Sequence, residues 1–509
     1  MTNTTTNTPK ASPGFARPTV RWRDGLALSP RLSVILLCGA VVLGVLATLV
    51  LGPHGIRMSE GTGDAALVAD TTAKLPSTRG YQSLSIGRVD HDSISLAGLG
   101  SPDSGHKQPP GADTRYELGS VTKTFTAMLL ADSVDRGEIA LDDPLEKWIG
   151  ELRGAEAGSV TIAELAEQRS GLPRLLPSQL TTALIGALGT NNPYDMGTAE
   201  MIEQTKDVTL SKRGQHGYSN LGVSLLGEAL VRAAGSDNYP ALATQRLLEP
   251  LGMTHTTFAI TAAEIPVDGV RGHRENGRLT DPWFGESQTP AGCCTWTTSG
   301  DMTRYAQALL DGAAPGMTAL EPRSDAGNGR RIGMIWLTDP ATDNGSRVVW
   351  HNGGTGGGST WLGLDRDAGE AVVVLGNSSR SVDELGKALL IGESDAGRPI
   401  PPVVPGILLV ALLAMAGWLV HLAGKAKRRS LIVEVVLDTA ALAVLVAALG
   451  PWQVVPGWAF GVAAGLAAGG GVLALLRGRQ LPWGTRWNTV SVVVTAVIAI
   501  GIAALVLFT

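Results

Sequence analysis

Cysteine is almost missing from this 509-residue chain: three occur, Cys38 inside an apolar run and Cys293 next to Cys294. So few thiols exclude a disulfide framework. Adjacent cysteines suit an ordinary bridge poorly, so both read as buried small side chains rather than a bonded pair. Charge is scarce as well, at 17% of residues against roughly 25% in ordinary soluble proteins, so something apolar dilutes it. The net charge of −5 comes with no basic stripe, which argues against a nucleic-acid partner. No His, Cys or acid group has zinc-ligand spacing, so neither a metal nor another cofactor is expected. Aromatics are few at 5% while Gly is abundant, which favours small-residue packing of the kind found between membrane helices.

The missing charge is concentrated in five places. Residues 32–51, "LSVILLCGAVVLGVLATLVL", carry none over about twenty positions, enough to cross a hydrocarbon core as a helix. A cleaved signal peptide is the competing reading, but the run and the tail before it are long for one, so an anchor is favoured. Similar spans recur at about 403–423, 431–449, 454–476 and 488–508, making a C-terminal membrane region over 399–509. Basic clusters precede the first span (Arg17, Arg21, Arg23, Arg31), follow the second ("KAKRR", 425–429) and separate the last two (Arg477, Arg479, Arg486). All can share one side, which the positive-inside rule makes the cytoplasm. The expectation is a multi-pass plasma-membrane protein, in contact with the lipid bilayer. Residues 1–31 then form a disordered cytoplasmic tail, and residues 52–398 lie outside. Glu434 and Asp438 share a face of the third span; Asp438, farther from the basic side, is the better candidate for a functional interior acid.

The middle region has globular texture. A helix near 63–74 precedes strand-like "YQSLSIGRV" and "SISLAGLG"; a helical stretch follows; then come "RIGMIWLTD", "RVVWHNG", "STWLGLD", "EAVVVLGN" and a helix near 381–391. Strands at both ends of a helical middle predict an α+β fold, an antiparallel sheet flanked by helices with an all-helical lobe. "ESDAGRPIPP" reads as a stiff linker back to the membrane.

Three stretches carry candidate chemistry. In "YELGSVTKTFTAMLL" Ser120 stands three residues before Lys123 as a helical period begins. On a helix the pair shares one face, and a buried lysine amine is neutral enough to take a serine proton. A helix-capping serine with a solvated lysine is the plainer alternative. The same spacing at Ser104 and Lys107 lies in loop composition that cannot fix geometry. The second stretch is Tyr218-Ser219-Asn220, before another helical pattern. Its phenol could relay protons, with the phenolate favoured beside a lysine ammonium, and its amide could orient a carbonyl; a turn residue and cap would look the same. The third, "VVWHNGGTGGGSTWLGL", runs from a strand into His351, Asn352, Gly353 and Gly354, where glycines let backbone amides approach a ligand. Read plainly, it is a hairpin turn.

Taken together and in this order, the three elements resemble the serine β-lactamase and penicillin-binding-protein superfamily, most closely class C β-lactamases, D-Ala-D-Ala carboxypeptidases, D-aminopeptidases and related esterases. The likeness covers about residues 63–392 and extends to connecting segments such as "VTIAELAEQRSGLP", "LLEPLGMTHTTF" and "AGCCTWTTSGDMTRYAQALL". It implies that Ser120 is the acylated nucleophile, Lys123 its proton acceptor, Tyr218 the general acid and base, and Asn220 a substrate contact. His351 through Gly354 would replace a Lys-Thr-Gly strand, with the Gly354 N–H joining that of Ser120 in an oxyanion hole. His351 is a weaker, pH-dependent cation than lysine. The expected substrate is therefore a D-amino-acid peptide, amide or ester, possibly derived from the cell wall. Five helices exceed what anchoring needs, so an acylated receptor that signals through them is the alternative.

Overall fold

A computed structural model describes residues 29–508 except 57, 59–60, 76, 92, 103–108, 181–191, 343–344 and 393–401. The expected tail before residue 29, Ser104, Lys107 and most of the linker lie outside the described residues.

The main sheet has nine antiparallel strands. The N-terminal part supplies β1 (Gly61–Gly63), β2 (Ser83–Asp90) and β3 (Ser93–Gly100). Two short strands, β4 (Tyr116–Glu117) and β5 (Thr257–Phe258), join β6 (Thr295–Thr297) in a separate small sheet. The C-terminal part supplies β7 (Ser324–Gly327), β8 (Arg330–Ile332), β9 (Leu337–Thr338), β10 (Val348–Gly354), β11 (Ser359–Asp365) and β12 (Glu370–Gly376). The order β1-β3-β2-β12-β11-β10-β9-β8-β7 joins the two halves where β2 meets β12, from Asp90 opposite Glu370 to Leu84 opposite Gly376. The expected α+β architecture is thus present, closed by strands far apart in sequence.

Alternation of side chains explains why β12 is an unbroken apolar run. Val372 and Val374 point to one face, where they meet Leu67, Ile86, Trp361, Leu385 and Leu389 from the helices Ala65–Lys74 and Asp383–Ile391 and neighbouring strands. Ala371, Val373 and Leu375 point to the other, against Met302, Tyr305 and Leu309 of the helix Ser299–Leu310. A strand covered by helices on both faces cannot alternate with polar residues. The second core continues into the helical lobe, where the helices Thr122–Asp135 and Asn220–Ala234 pack together.

Among the described residues, five helices are long and apolar enough to cross a bilayer: Pro30–Leu51, Val403–Lys425, Arg429–Leu449, Gly457–Gly478 and the stretch Arg486–Ala504. The fourth starts at 457 rather than 454, because Trp452–Val455 form a turn ended by Pro456. Small residues let the first and fourth helices touch through their backbones: a Cβ on Gly44 would lie 2.3 Å from the Gly461 carbonyl oxygen, and one on Gly465 2.6 Å from that of Ala40. At one end of the bundle the basic segments converge, Arg477 donating to Ser33 Oγ at 2.9 Å and the Arg429 amide to the Pro482 carbonyl at 2.9 Å. The acid pair differs from expectation: Asp438 is exposed on the outer surface of its helix, whereas Glu434 is half-buried with Oε1 enclosed.

Candidate active site

Ser120 sits in a 3-10 turn, Gly119–Val121, that leads directly into the helix Thr122–Asp135. Gly119 makes the turn possible. Its φ of +61° is the left-handed conformation glycine takes at least cost, and a Cβ there would lie 2.8 Å from the Gly354 amide nitrogen. From the other side, a Cβ on Gly353 would come within 3.1 Å of the Ser120 amide nitrogen and 2.4 Å of the Leu118 carbonyl oxygen. The Ser120 turn and the end of β10 are therefore in backbone contact. β9 pairs with β10 only at Val349 and Trp350, so from His351 onward β10 is paired with β11 alone and has a free edge.

One helical turn on, Lys123 is fully buried and its Nζ lies 2.9 Å from Ser120 Oγ. The amine also donates to the Ala291 carbonyl, held there by the turn Thr289–Ala291. Burial, and then the Arg174 guanidinium, push this amine well below the usual lysine range. Among the described residues no carboxylate forms an ion pair with it.

Tyr218 closes the cluster from the helical lobe, its hydroxyl donating to Ser120 Oγ at 2.8 Å and its ring centroid 5.0 Å from Lys123 Nζ. The expectation of a favoured phenolate is corrected. Burial raises the phenol above its ordinary value, while the Ser120 hydrogen bond and Arg174 pull it back in part. With the lysine held toward neutrality, no ammonium is there to favour the anion. Two residues on, Asn220 begins the helix Asn220–Ala234, 9% exposed, with Oδ1 enclosed and without a protein partner among the described residues.

The β10 residues divide. Asn352, Gly353 and Gly354 line a cleft of about 440 Å³ with Ser120 and Tyr218, and Asn352 Nδ2 donates to Asp383 Oδ2 at 2.7 Å. His351 points the other way, 3% exposed, its Nδ1 2.7 Å from the Asn352 carbonyl. Burial first, then Lys123, lower it to about 4. It is a buried, neutral residue outside the cleft lining and not the pH-dependent cation expected from the sequence.

Sequence reasoning missed Arg174, Thr355, Ser379, Ser381 and Asp383, all on the cleft wall. Arg174 directly follows the "SGLP" already noted, which was the one signal available. A buried acid also stands behind the site: Glu117 accepts from the Trp283 amide at 2.8 Å and from Thr355 Oγ1 at 3.1 Å, and burial raises it to about 7.

Cys293 and Cys294, three residues or fewer from Ala291, are buried against Leu175, Tyr194 and Trp283. They are bonded to each other, contrary to the reading of two free thiols. Cys294 has φ +78°, a left-handed backbone that brings its side chain back toward its neighbour.

A family model described as beta-lactamase matches residues 68–396, and the chain belongs to that family. It is 28% identical over 209 residues to the beta-lactamase of Escherichia coli (strain K12), covering 39% of this chain and 51% of that protein. To the human putative beta-lactamase-like 1 it is 28% identical over 250 residues, covering 46% and 47%. The chain thus spans about half the length of these curated relatives. Among solved structures, the D-alanine carboxypeptidase AmpC from Burkholderia cenocepacia superposes with a TM-score of 0.52 at 23% identity, over 64% of this chain and 98% of that one, which shows a shared fold.

Proposed function

We propose that this protein is a membrane-anchored serine hydrolase that cleaves a D-amino-acid peptide, amide or ester through an acyl-enzyme on Ser120. The contact carrying this reading is the triangle of Ser120 Oγ, Lys123 Nζ and Tyr218 hydroxyl, at 2.9 and 2.8 Å from the serine. The neutral Lys123 amine takes the Ser120 proton as Oγ bonds to the substrate carbonyl carbon. The negative charge that develops on the carbonyl oxygen meets the amides of Ser120 and Gly354, juxtaposed by the Gly119 turn. Tyr218 gives its proton to the leaving group as the acyl bond breaks, and regains one from the Lys123 ammonium. Water then attacks the ester, giving a proton to the Lys123 amine; as the acyl C–Oγ bond breaks, Tyr218 gives its proton to Ser120 Oγ and regains one from Lys123. The relatives' names, beta-lactamase and D-alanine carboxypeptidase, support this chemistry without selecting a substrate.

The five apolar helices would hold the enzyme in the plasma membrane. The basic end of the bundle would face the cytoplasm, and residues 52–398 would lie outside as one hydrolase domain. Incubating purified protein with acetylated D-Ala-D-Ala peptides, thioesters and a penicillin tests this, with Ser120→Ala as control. Multiple turnover lost in Ser120→Ala supports the reading; equal rates in both proteins would remove it.

A second reading, an acylated receptor, is favoured by one set of contacts. Asn276 Nδ2 donates to the carbonyls of Ala448 and Gly450 at 3.0 and 3.1 Å, and Arg278 to that of Val506 at 2.8 Å, tying the loop 272–280 to the membrane helices. At its other end the His273 amide donates to Gly357, next to the cleft residue Gly358. A stable adduct with stoichiometric, single-turnover kinetics would favour the receptor over the hydrolase.

A further inference from the structure

In resting on the hydrolase reading, the inference drawn here adds the charge of its substrate. We propose that Arg174 is the anion-binding residue of the cleft, holding a carboxylate on the leaving-group side of the scissile bond. The protein therefore prefers acidic peptides or esters over neutral ones of the same shape.

Arg174 is fixed where a substrate must pass. Its carbonyl accepts the amides of Asn220 and Leu221 at 3.1 and 3.3 Å, and the preceding Pro173 carbonyl accepts Ser219 Oγ at 2.7 Å. The arginine backbone is thus tied to the start of the helix that follows Tyr218, and the two residues cannot drift apart. The guanidinium carbon stands 5.2 Å from the Tyr218 ring centroid, and the side chain lines the same cleft as Ser120. Tyr218 is the group that meets the leaving atom, so a cation beside its ring is next to the departing half of the substrate.

The arginine has a free charge to offer. Three other arginines of the helical lobe are neutralised: Arg213 by Glu164 and Arg232 by Glu151, both at 2.7 Å, and Arg246 by Glu138 at 2.7 Å. Arg174 is exposed and forms no ion pair among the described residues. It also acts against the one lysine of the site, since a second positive charge disfavours the Lys123 ammonium. An exposed arginine held in a catalytic cleft without a counter-ion suits an anion supplied by the substrate, which a guanidinium can grip with two parallel donors. Among the described residues no other cation lines the cleft, and the remaining charged residue there is Asp383, held by Asn352. The strand position occupied by His351 supplies a buried, neutral imidazole.

The test uses full-length protein in detergent and two aryl acetates that differ only by a carboxylate on the leaving phenol. For Arg174→Gln, kcat/KM for the carboxylate ester falls about ten-fold or more relative to that for the neutral ester, the scale of one charge-assisted hydrogen bond, and the differential loss lies in KM. A change of kcat shared by both esters reports the Lys123 amine, which the guanidinium also faces, and Arg174→Lys recovers part of the ratio. Equal losses on both esters would make Arg174 a support for Tyr218 and Lys123 and overturn the inference, as would no change on the charged one. A binding arm separates this from the fate of the hydrolase reading. In Ser120→Ala protein, acetyl-D-alanine binds about ten-fold more weakly once Arg174→Gln is added, whereas its amide binds equally. An unchanged Kd for the acid overturns the inference even if Ser120 proves catalytic. Failure of Ser120 to react with a fluorophosphonate removes the hydrolase reading while leaving the Kd comparison decisive for Arg174.

Discussion

The amine of Lys123 lies 2.9 Å from Ser120 Oγ while its side chain is completely enclosed and no carboxylate among the described residues pairs with it. A charged ammonium in that position would carry a desolvation cost with no ion pair to offset it, so the geometry favours the free amine. Retaining an amine there is structurally costly and chemically useful, because only the neutral form can accept the serine proton.

That relationship sets the pH behaviour of the site. His351, lowered to about 4, stays neutral over the working range, so it cannot produce an acid limb between pH 5 and 8. His351→Gln should leave the pH profile of kcat/KM in that interval in place. A limb near neutrality that disappears in His351→Gln would assign the titration to the imidazole.

Removing the lysine should be severe. Lys123→Met keeps the stem in its apolar cavity but deletes the base, and turnover should fall by about 10³ or more, since groups acting as a unit fail together. Thermal unfolding should shift little or upward, because an enclosed polar group without an ion-pair partner is replaced by an apolar one. Calorimetry and steady-state rates on the same preparation check both halves.

Gly119 should tolerate no side chain. Gly119→Ala adds about 1–2 kcal/mol of left-handed backbone strain and places a Cβ 2.8 Å from the Gly354 nitrogen. The strand end must then move from the Ser120 amide, and acylation should slow by at least about ten-fold, measured as the rate of single-hit labelling. Gly137, also at positive φ but with open space around it, should lose stability alone on the same substitution.

Glu117 predicts a stability trend opposite to that of an ion-paired acid. Its folded value is raised to about 7 from 4.5, so the folded state holds the proton more tightly than the unfolded chain. Its contribution is complete below about 4.5 and is lost as pH rises through about 7, by about 3 kcal/mol. Glu117→Gln should remove that slope from the pH dependence of unfolding; an unchanged slope would place the titration elsewhere.

Local pattern carried much of this in the sequence. The strands and helices of the globular region and the apolar spans are contiguous, so their periods and lengths could be read directly. Ser120 and Lys123 share a helical turn, which three residues of spacing reveal. What could not be read depends on segments that meet only after folding. Arg174 is brought to the cleft by the helix start it caps, and Asp383 by the helix packed on β11 and β12. Whether His351 faces solvent or the interior turns on which strand edge is covered. The Cys293–Cys294 bond depends on a left-handed backbone at Cys294, and Glu434 rather than Asp438 turns inward because of how neighbouring helices pack. Small residues were expected to mediate membrane packing, but that Gly44 meets Gly461 joins segments over four hundred residues apart.

The central claim is most directly tested by intact-mass and peptide mapping after exposure to a fluorophosphonate. The account predicts one adduct per chain, on Ser120, formed rapidly in wild type, strongly slowed in Lys123→Met and absent in Ser120→Ala. Labelling that proceeds equally in all three proteins, or maps to another residue, would contradict it.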